Sequence, residues 1–189
     1  MQLQTRHYTP DEYLELESRA EIKNEYRDGE IIPMTGGTTN HNELALDFAA
    51  ALKLQLRRRN YKVYMGDVKL WIPRYRQYTY PDVMVIQGQP NYQTESKTIV
   101  TNPTLIAEVL SPSTQNYDQG DKFAYYRSIP EMQEYLLLDQ AQFRVMQHRK
   151  TEAGWLLTEC EGEAAVLELS ITEFKMCLRD LYEGVNFED

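Results

Sequence analysis

The chain has 189 residues, enough to bury one substantial core and too few for two comfortable ones, so a single domain over residues 1–189 is expected. Hydrophobic residues make up 42% and charged residues 26%, no apolar run nears the ~18 residues of a membrane span, and the opening MQLQTRHYTPDEY has no signal-peptide apolar stretch, which excludes a membrane protein and argues against a secreted one. The net charge of −9 disfavours unspecific polyanion binding over the whole surface, and Cys160 and Cys177, without CxxC spacing, offer neither a disulfide framework nor a structural zinc site. A reducing cytoplasm is the expected setting.

In chain order, Thr9-Pro10-Asp11-Glu12 has the cap, the first-turn proline and the capping-box acid of a helix start, and a short helix to about Ser18 follows. Glu25–Met34 places Asp28-Gly29 between extended flanks, which predicts a hairpin. Asn40 with Glu43 opens a longer helix whose apolar stripe is Leu44, Phe48, Ala51, Leu52 and Leu56. The period then shortens. Tyr61–Met65 and Val68–Ile72 alternate as strands around Gly66-Asp67, and Asp82–Ile86 and Leu105–Leu110 have the composition of buried strands.

Asp118–Arg127 has a helical pattern that stops before Ile129-Pro130, and Glu134–Leu138 is another buried strand. Phe143–His148 and Trp155–Cys160 alternate as a C-terminal hairpin, and Ser170 with Glu173 predicts a last helix to about Tyr182. The central order is helix, three strands, helix, strand. That is a mixed α/β architecture, with an N-terminal helix and hairpin and a C-terminal hairpin plus helix.

Charge is unevenly spread. Lys53, Arg57, Arg58, Arg59, Lys62, Lys69, Arg74 and Arg76 face one acid, Asp67, within a single stretch. A basic island on an acidic body suits a polyanion docked at one place, although a solvated helix end followed by an exposed strand explains the run equally well. Tyr75, Tyr78 and Tyr80 beside Arg74 and Arg76 interleave aromatic and basic groups as a strand-clamping surface would.

Two carboxylates stand out. Asp82 lies in YPDVMVI and Glu108 in LIAEVLS, each inside a strongly apolar strand. An isolated charge there costs several kcal/mol, so a partner, a proton or a metal must neutralise it. Either acid alone could be a salt-bridged edge residue. Two on neighbouring strands, with an acid-bearing hairpin upstream and a basic helix downstream, describe a site for a hard cation such as Mg²⁺.

These residues carry a resemblance. Pro81-Asp82 followed 26 positions after Asp82 by Glu108 resembles the PD-(D/E)XK nuclease superfamily. KNEYRDGEI (23–31), His41, YPDVMVI (80–86), EVLSPST (108–114), Asp118, Lys122, Tyr126 and EYLLLD (134–139) are similar to its Uma-two branch, from Tyr8 to about Tyr182. The resemblance implies a restriction-endonuclease-like fold and an Mg²⁺-dependent endonuclease acting on DNA, with Mn²⁺ able to substitute. It implies Asp82, Glu108 and the Val109 carbonyl as metal ligands and Glu25 as a further or water-bridged acid. The motif lysine should stand at position 110, where this chain has Leu110; the branch carries it on the next helix, here as Lys122.

Such a site hydrolyses phosphodiesters with metal assistance. Lys122 would stabilise developing negative charge or, with a lowered pKa, help deprotonate the water. Tyr126, a turn later, would pack on and orient the lysine. Arg57, Arg58, Arg59, Arg74 and Arg76 are the candidate substrate-binding residues. His41, at a helix N-terminus, would either help bind a phosphate or, as favoured, hydrogen-bond locally, and neither His7 nor His148 has metal-ligand spacing with it.

Ser111 and Ser113 have no histidine base nearby, which disfavours a serine hydrolase. The alternatives are a non-catalytic nuclease-fold protein that binds nucleic acid or a protein partner, favoured by Leu110 and the acidic surface, and a two-carboxylate glycosidase, disfavoured by the basic island. Many members of the superfamily cut duplexes as dimers. A homodimer is therefore expected, with the C-terminal strands and helix as the candidate interface.

Overall fold

The computed structural model describes residues 6–111 and 118–187. Helix α1 (Pro10–Glu17) opens with the expected capping box: the Glu12 amide donates to Thr9 Oγ1, and the Thr9 amide to the Glu12 carboxylate. Strands β1 (Asn24–Arg27) and β2 (Glu30–Pro33) form the predicted hairpin. Asp28 (φ 40°) and Gly29 (φ 108°) supply the positive dihedrals its two-residue turn demands.

Helix α2 (Thr39–Gln55) begins two residues before the start that the Asn40–Glu43 pattern predicts. Thr38 is the cap, accepting from the His41 amide at 3.1 Å, and the Asn40 side chain instead reaches Asn186. Its stripe of Leu44, Ala45, Phe48, Ala49 and Leu52 is buried.

The remaining elements are β3 (Tyr61–Met65), β4 (Lys69–Ile72), β5 (Gln77–Thr79), β6 (Val83–Gln87), β7 (Ile99–Val100), β8 (Leu105–Leu110), a π turn (Asp118–Lys122) running into α3 (Phe123–Tyr126), β9 (Glu134–Asp139), β10 (Arg144–Thr151), β11 (Gly154–Glu161), β12 (Val166–Glu168), β13 (Lys175–Cys177) and α4 (Leu178–Leu181). A six-stranded sheet has the order β11-β10-β9-β8-β6-β3, mixed because β8 and β9 run parallel. A five-stranded sheet is ordered β2-β1-β5-β4-β7. The successive strands β3 and β4 do not pair: β3 joins β6 in the larger sheet and β4 joins β5 and β7 in the smaller.

The helix expected over 170–182 is replaced. Lys175–Cys177 pairs with Val166–Glu168, and only Leu178–Leu181 is helical. The buried Glu134 carboxylate takes the Ser170 and Ile171 amides at 2.8 and 3.2 Å, holding that segment against the sheet. A tertiary acceptor outcompetes the local cap.

The large sheet is buried on both faces, and strand parity decides which residue goes where. Val83, Val85, Leu105, Ala107, Val109, Leu136 and Leu138 meet α2 and the C-terminal segment. Met84, Ile86, Ile106, Leu110, Tyr135 and Leu137 meet Tyr126, Ile129, Met132 and the β4 residues Leu70 and Ile72. A third cluster stacks Tyr13, Tyr26 and Tyr78 between α1 and the small sheet. Tyr78 and Tyr80 are therefore core residues and Tyr75 packs on Tyr125, so the predicted strand-clamping tyrosines serve packing instead. Lys69 leaves the basic island too: it is buried, with its ammonium over the Tyr13, Tyr78 and Tyr80 rings, and burial pulls its pKa down.

Candidate active site

The site forms at the end of the large sheet where β6 starts and β8 finishes. Val83 is opposite Ala107 in the antiparallel β6–β8 pair, so one further step sets Asp82 against Glu108. The Asp82 amide donates to Glu108 Oε2 at 3.3 Å, and the Val109 amide donates to Asp82 Oδ2 at 2.8 Å. Parity gives Glu108 the same face as Ile106 and Leu110, toward α3. Two acids 26 positions apart thus share one cavity of about 410 Å³, which Glu25, Val109, Asp118 and Lys122 also line.

Lys122 enters from the π turn before α3. Its Nζ lies 3.1 Å from Glu108 Oε1 and 3.0 Å from Asp118 Oδ1. The Tyr126 hydroxyl donates to Glu108 Oε1 at 2.6 Å and so holds the carboxylate oxygen that Lys122 Nζ also contacts. Glu25, buried on β1, accepts from the Thr79 hydroxyl and faces the same cavity rather than solvent.

Two site residues escaped the sequence argument. His41 was expected to bond locally; its Nε2 instead lies 3.2 Å from Asp82 Oδ2. The signal was the cap. With Thr38 as N-cap, residue 41 is the third helical residue, whose side chain points back past the start of α2. Gly37 packs on the ring, and the chain Thr38 Oγ1 to Gln140 Oε1 (2.5 Å), then Gln140 Nε2 to the Leu110 carbonyl (2.7 Å), ties the helix start to the end of β8. Asp118, buried beneath Lys122, was legible as one half of an i,i+4 ion pair.

Four carboxylates face one ammonium and one imidazole, and burial, hydrogen bonds and these charges together set the shifts. Burial opposes the charge on Lys122, yet Glu108, Glu25 and Asp118 hold its pKa well above the ordinary lysine value. Burial pushes Glu108 up; Lys122 opposes that, while Asp82 and Asp118 reinforce it. Burial also works against ionised Asp82, but the His41 hydrogen bond and charge, the Val109 amide and Lys122 hold it low. The same Asp82 contact raises His41 against the effect of burial. A pKa held high suits Lys122 to the first of its two expected roles, stabilising anionic charge.

The predicted arginines do not line the cavity. Arg57, Arg58 and Arg59 follow the far end of α2, whose last residue, Gln55, is about 21 Å along the helix from His41 at 1.5 Å per residue, with Arg59 paired to Glu173. Arg76 pairs with Asp28 at the β1–β2 turn, and Arg74 packs over Tyr75. The arginine that reaches the cavity is Arg27 on β1. Ser111 lines it as well, whereas Ser113 lies outside the described residues. Among the described residues no helix is long and apolar enough to cross a membrane.

Known proteins share this chain's sequence and fold. It is 46% identical over 167 residues to “Uncharacterized protein sll1609” of Synechocystis sp., covering 88% of this chain and 94% of that protein. It is 32% identical over 180 residues to “Uncharacterized protein slr1290” of the same organism, covering 95% and 93%. The fold is that of a crystal structure described as a “putative nuclease belonging to DUF820” from Anabaena variabilis, with a TM-score of 0.76 and 18% identity over 93% of this chain and 98% of the other. The family described as Uma2, “Putative restriction endonuclease”, matches residues 10–179, and the chain belongs to that family.

Proposed function

We propose that this protein is a metal-dependent endonuclease that hydrolyses DNA phosphodiester bonds in the cavity between α2, α3 and the end of the large sheet. The observation that carries the reading is Lys122 Nζ at 3.1 Å from Glu108 Oε1. The motif position 110 holds a buried leucine, and an ammonium arrives at the carboxylates from a separate element instead.

The donor set fits Mg²⁺. Asp82 and Glu108 offer hard oxygens from adjacent strands, and among the described residues no three His, Cys, Asp or Glu groups are grouped to hold a metal alone. Mg²⁺ usually takes one or two carboxylates and completes its octahedron with waters and phosphate oxygens. The Val109 carbonyl is the third candidate oxygen, since an extended residue's C=O faces the same side as its N–H. When bound, the cation supplies Lewis-acid polarisation of the phosphoryl oxygen and a more acidic water.

The chain's own residues do the rest. Lys122, held charged, faces the site of developing phosphoryl charge. Tyr126 fixes Glu108, while His41 and the Val109 amide fix Asp82, so neither carboxylate must be ordered during the reaction. Arg27 at the rim would contact a flanking phosphate.

The test is cleavage of duplex, single-stranded and branched DNA by the wild-type protein with Mg²⁺ or Mn²⁺. Activity abolished in Asp82→Ala and Glu108→Ala supports the proposal. Wild-type binding without any cleavage would make the protein a non-catalytic nucleic-acid binder, the reading Leu110 favours.

A further inference from the structure

A second cavity opens beside the first. It measures about 320 Å³, the small end of the range for ligand pockets. It shares Thr38, Ser111 and Gln140 with the cavity that holds the carboxylates. The two are therefore contiguous, and the hydrogen-bond chain from Thr38 through Gln140 to the Leu110 carbonyl runs along their common wall.

The rest of the lining is held in place by contacts that have no part in the carboxylate site. Asn40, the residue expected to cap α2, closes a two-way clamp on the backbone of Asn186. Its Nδ2 donates to the Asn186 carbonyl at 2.6 Å, and its Oδ1 accepts from the Asn186 amide at 3.2 Å. The clamp fixes the last described residues against the start of α2. Phe187 follows, half-buried, with ring centroids 4.8 Å from Phe143 and 5.8 Å from Tyr182. It lines the cavity together with Ala141 and Asp139. The two Asp139 oxygens accept from the Ala141 amide at 3.0 Å and from Gln142 Nε2 at 2.7 Å, which orients the carboxylate.

This lining selects its occupant. Among the described residues that form it there is no lysine, arginine or histidine, and Asp139 contributes an acid. Such a wall repels a phosphate, so the anionic part of a nucleic acid belongs in the first cavity, with Lys122 and Arg27. The second suits a flat neutral group, apolar on its faces and polar at its edge. Phe187 offers a face for stacking. Asp139 offers an acceptor-only edge, since a carboxylate has about four lone-pair sites and two are taken within the chain.

We propose that the second cavity receives an unpaired nucleobase of the strand whose phosphodiester lies in the first, and that Asp139 selects a base carrying an exocyclic amino group. The inference rests on the nuclease reading and narrows its substrate to a strand that is single, or splayed out of a duplex, beside the scissile bond. A paired base is stacked on both faces and bonded along its edge, so it enters such a pocket only after leaving the duplex. Stacking accepts any base. The carboxylate adds the preference, because it takes a hydrogen bond from the amino group of cytosine, adenine or guanine and none from thymine's carbonyl and methyl group.

Fluorescence anisotropy of labelled oligonucleotides reads this without turnover, with Ca²⁺ in place of Mg²⁺ and gel electrophoresis checking that the strands stay intact. Wild-type protein is expected to bind single-stranded oligo(dC) about tenfold more tightly than oligo(dT), the scale of one base-edge contact, and more tightly than the same dC strand annealed to its complement. Asp139→Asn places a donor at that edge and should erase the difference between dC and dT. Ala141→Trp fills the cavity from an exposed position and should weaken oligo(dC) binding about tenfold, as loss of a stacked base does. Mn²⁺ affinity should stay unchanged in both variants, a readout that a misfolded protein would not preserve. Equal wild-type affinity for oligo(dC) and oligo(dT), a duplex bound as tightly as the single strand, or Ala141→Trp without effect overturns the inference. If the wild type nevertheless cleaves DNA, the nuclease reading stands and this inference alone falls. A protein that neither binds nor cleaves any strand removes both.

Discussion

Lys122 Nζ and Glu108 Oε1 lie 3.1 Å apart, although fourteen residues separate them and neither is in the other's secondary-structure element. The pair joins the end of β8 to the turn before α3. It brings a full positive charge to the point where the two strand carboxylates meet. A leucine two residues after Glu108 is therefore no obstacle to an ammonium at this site.

Lys122→Ala is expected to lower Mg²⁺-dependent cleavage by about 10²-fold or more, the scale of a positioned charge-stabilising group. Metal binding should persist in that variant, because the carboxylates supply the ligands. Single-turnover cleavage together with Mn²⁺ titration separates the two. Undiminished cleavage would remove Lys122 from the mechanism.

Tyr126→Phe deletes the hydroxyl that donates to Glu108 Oε1 at 2.6 Å and leaves the ring in place. A buried hydrogen bond contributes about 0.5–1.5 kcal/mol. Urea unfolding should show a loss of that order with an unchanged m value, accompanied by slower cleavage. A variant as stable and as active as wild type would mean that Glu108 is held by Lys122 alone.

Gly37→Ala tests the seat of His41. A methyl group at Gly37 would meet His41 Nδ1 at 3.0 Å, so the ring must shift by a few tenths of an ångström. Cleavage should fall several-fold, because misplacement of about 1 Å can cost 10²-fold. The melting temperature should barely change, since the loop is exposed. Full activity would show that the His41–Asp82 contact tolerates displacement.

His148 is stacked against Phe123 at 4.1 Å between ring centroids, and burial holds its pKa below the usual 6.5. The unfolded chain then binds the proton more readily than the folded one. The associated stability is complete above about pH 6.5 and is lost as pH falls through that value toward the folded pKa. His148→Phe should flatten this acid-side loss, measured as the difference between wild-type and variant denaturation midpoints across that window. Parallel pH profiles would refute the assignment.

Much of this protein was legible in the order of its residues. The capping box at Thr9, the Asp28-Gly29 turn and the apolar strands β6, β8 and β9 are local statements, made by short-range sterics and by periodicity. Parity along two neighbouring strands was enough to bring Asp82 and Glu108 together, and the family resemblance implied Lys122 beside them. Position 41 carried the cap signal but not its partner, because the Asp82 contact depends on how α2 docks on the sheet, held by Thr38, Gln140 and the packing of Leu44 and Phe48. The fate of Lys69, Tyr78 and Tyr80 was decided in the same way: a run of basic and aromatic residues reads as a surface until a second sheet and α1 close over it. The segment after Ser170 met its strongest acceptor in Glu134, 36 residues earlier, and left its local cap unused. Local geometry fixes elements and the face each residue takes, whereas the energies of burial and of long-range hydrogen bonds depend on which elements meet, so only the tertiary structure could decide them.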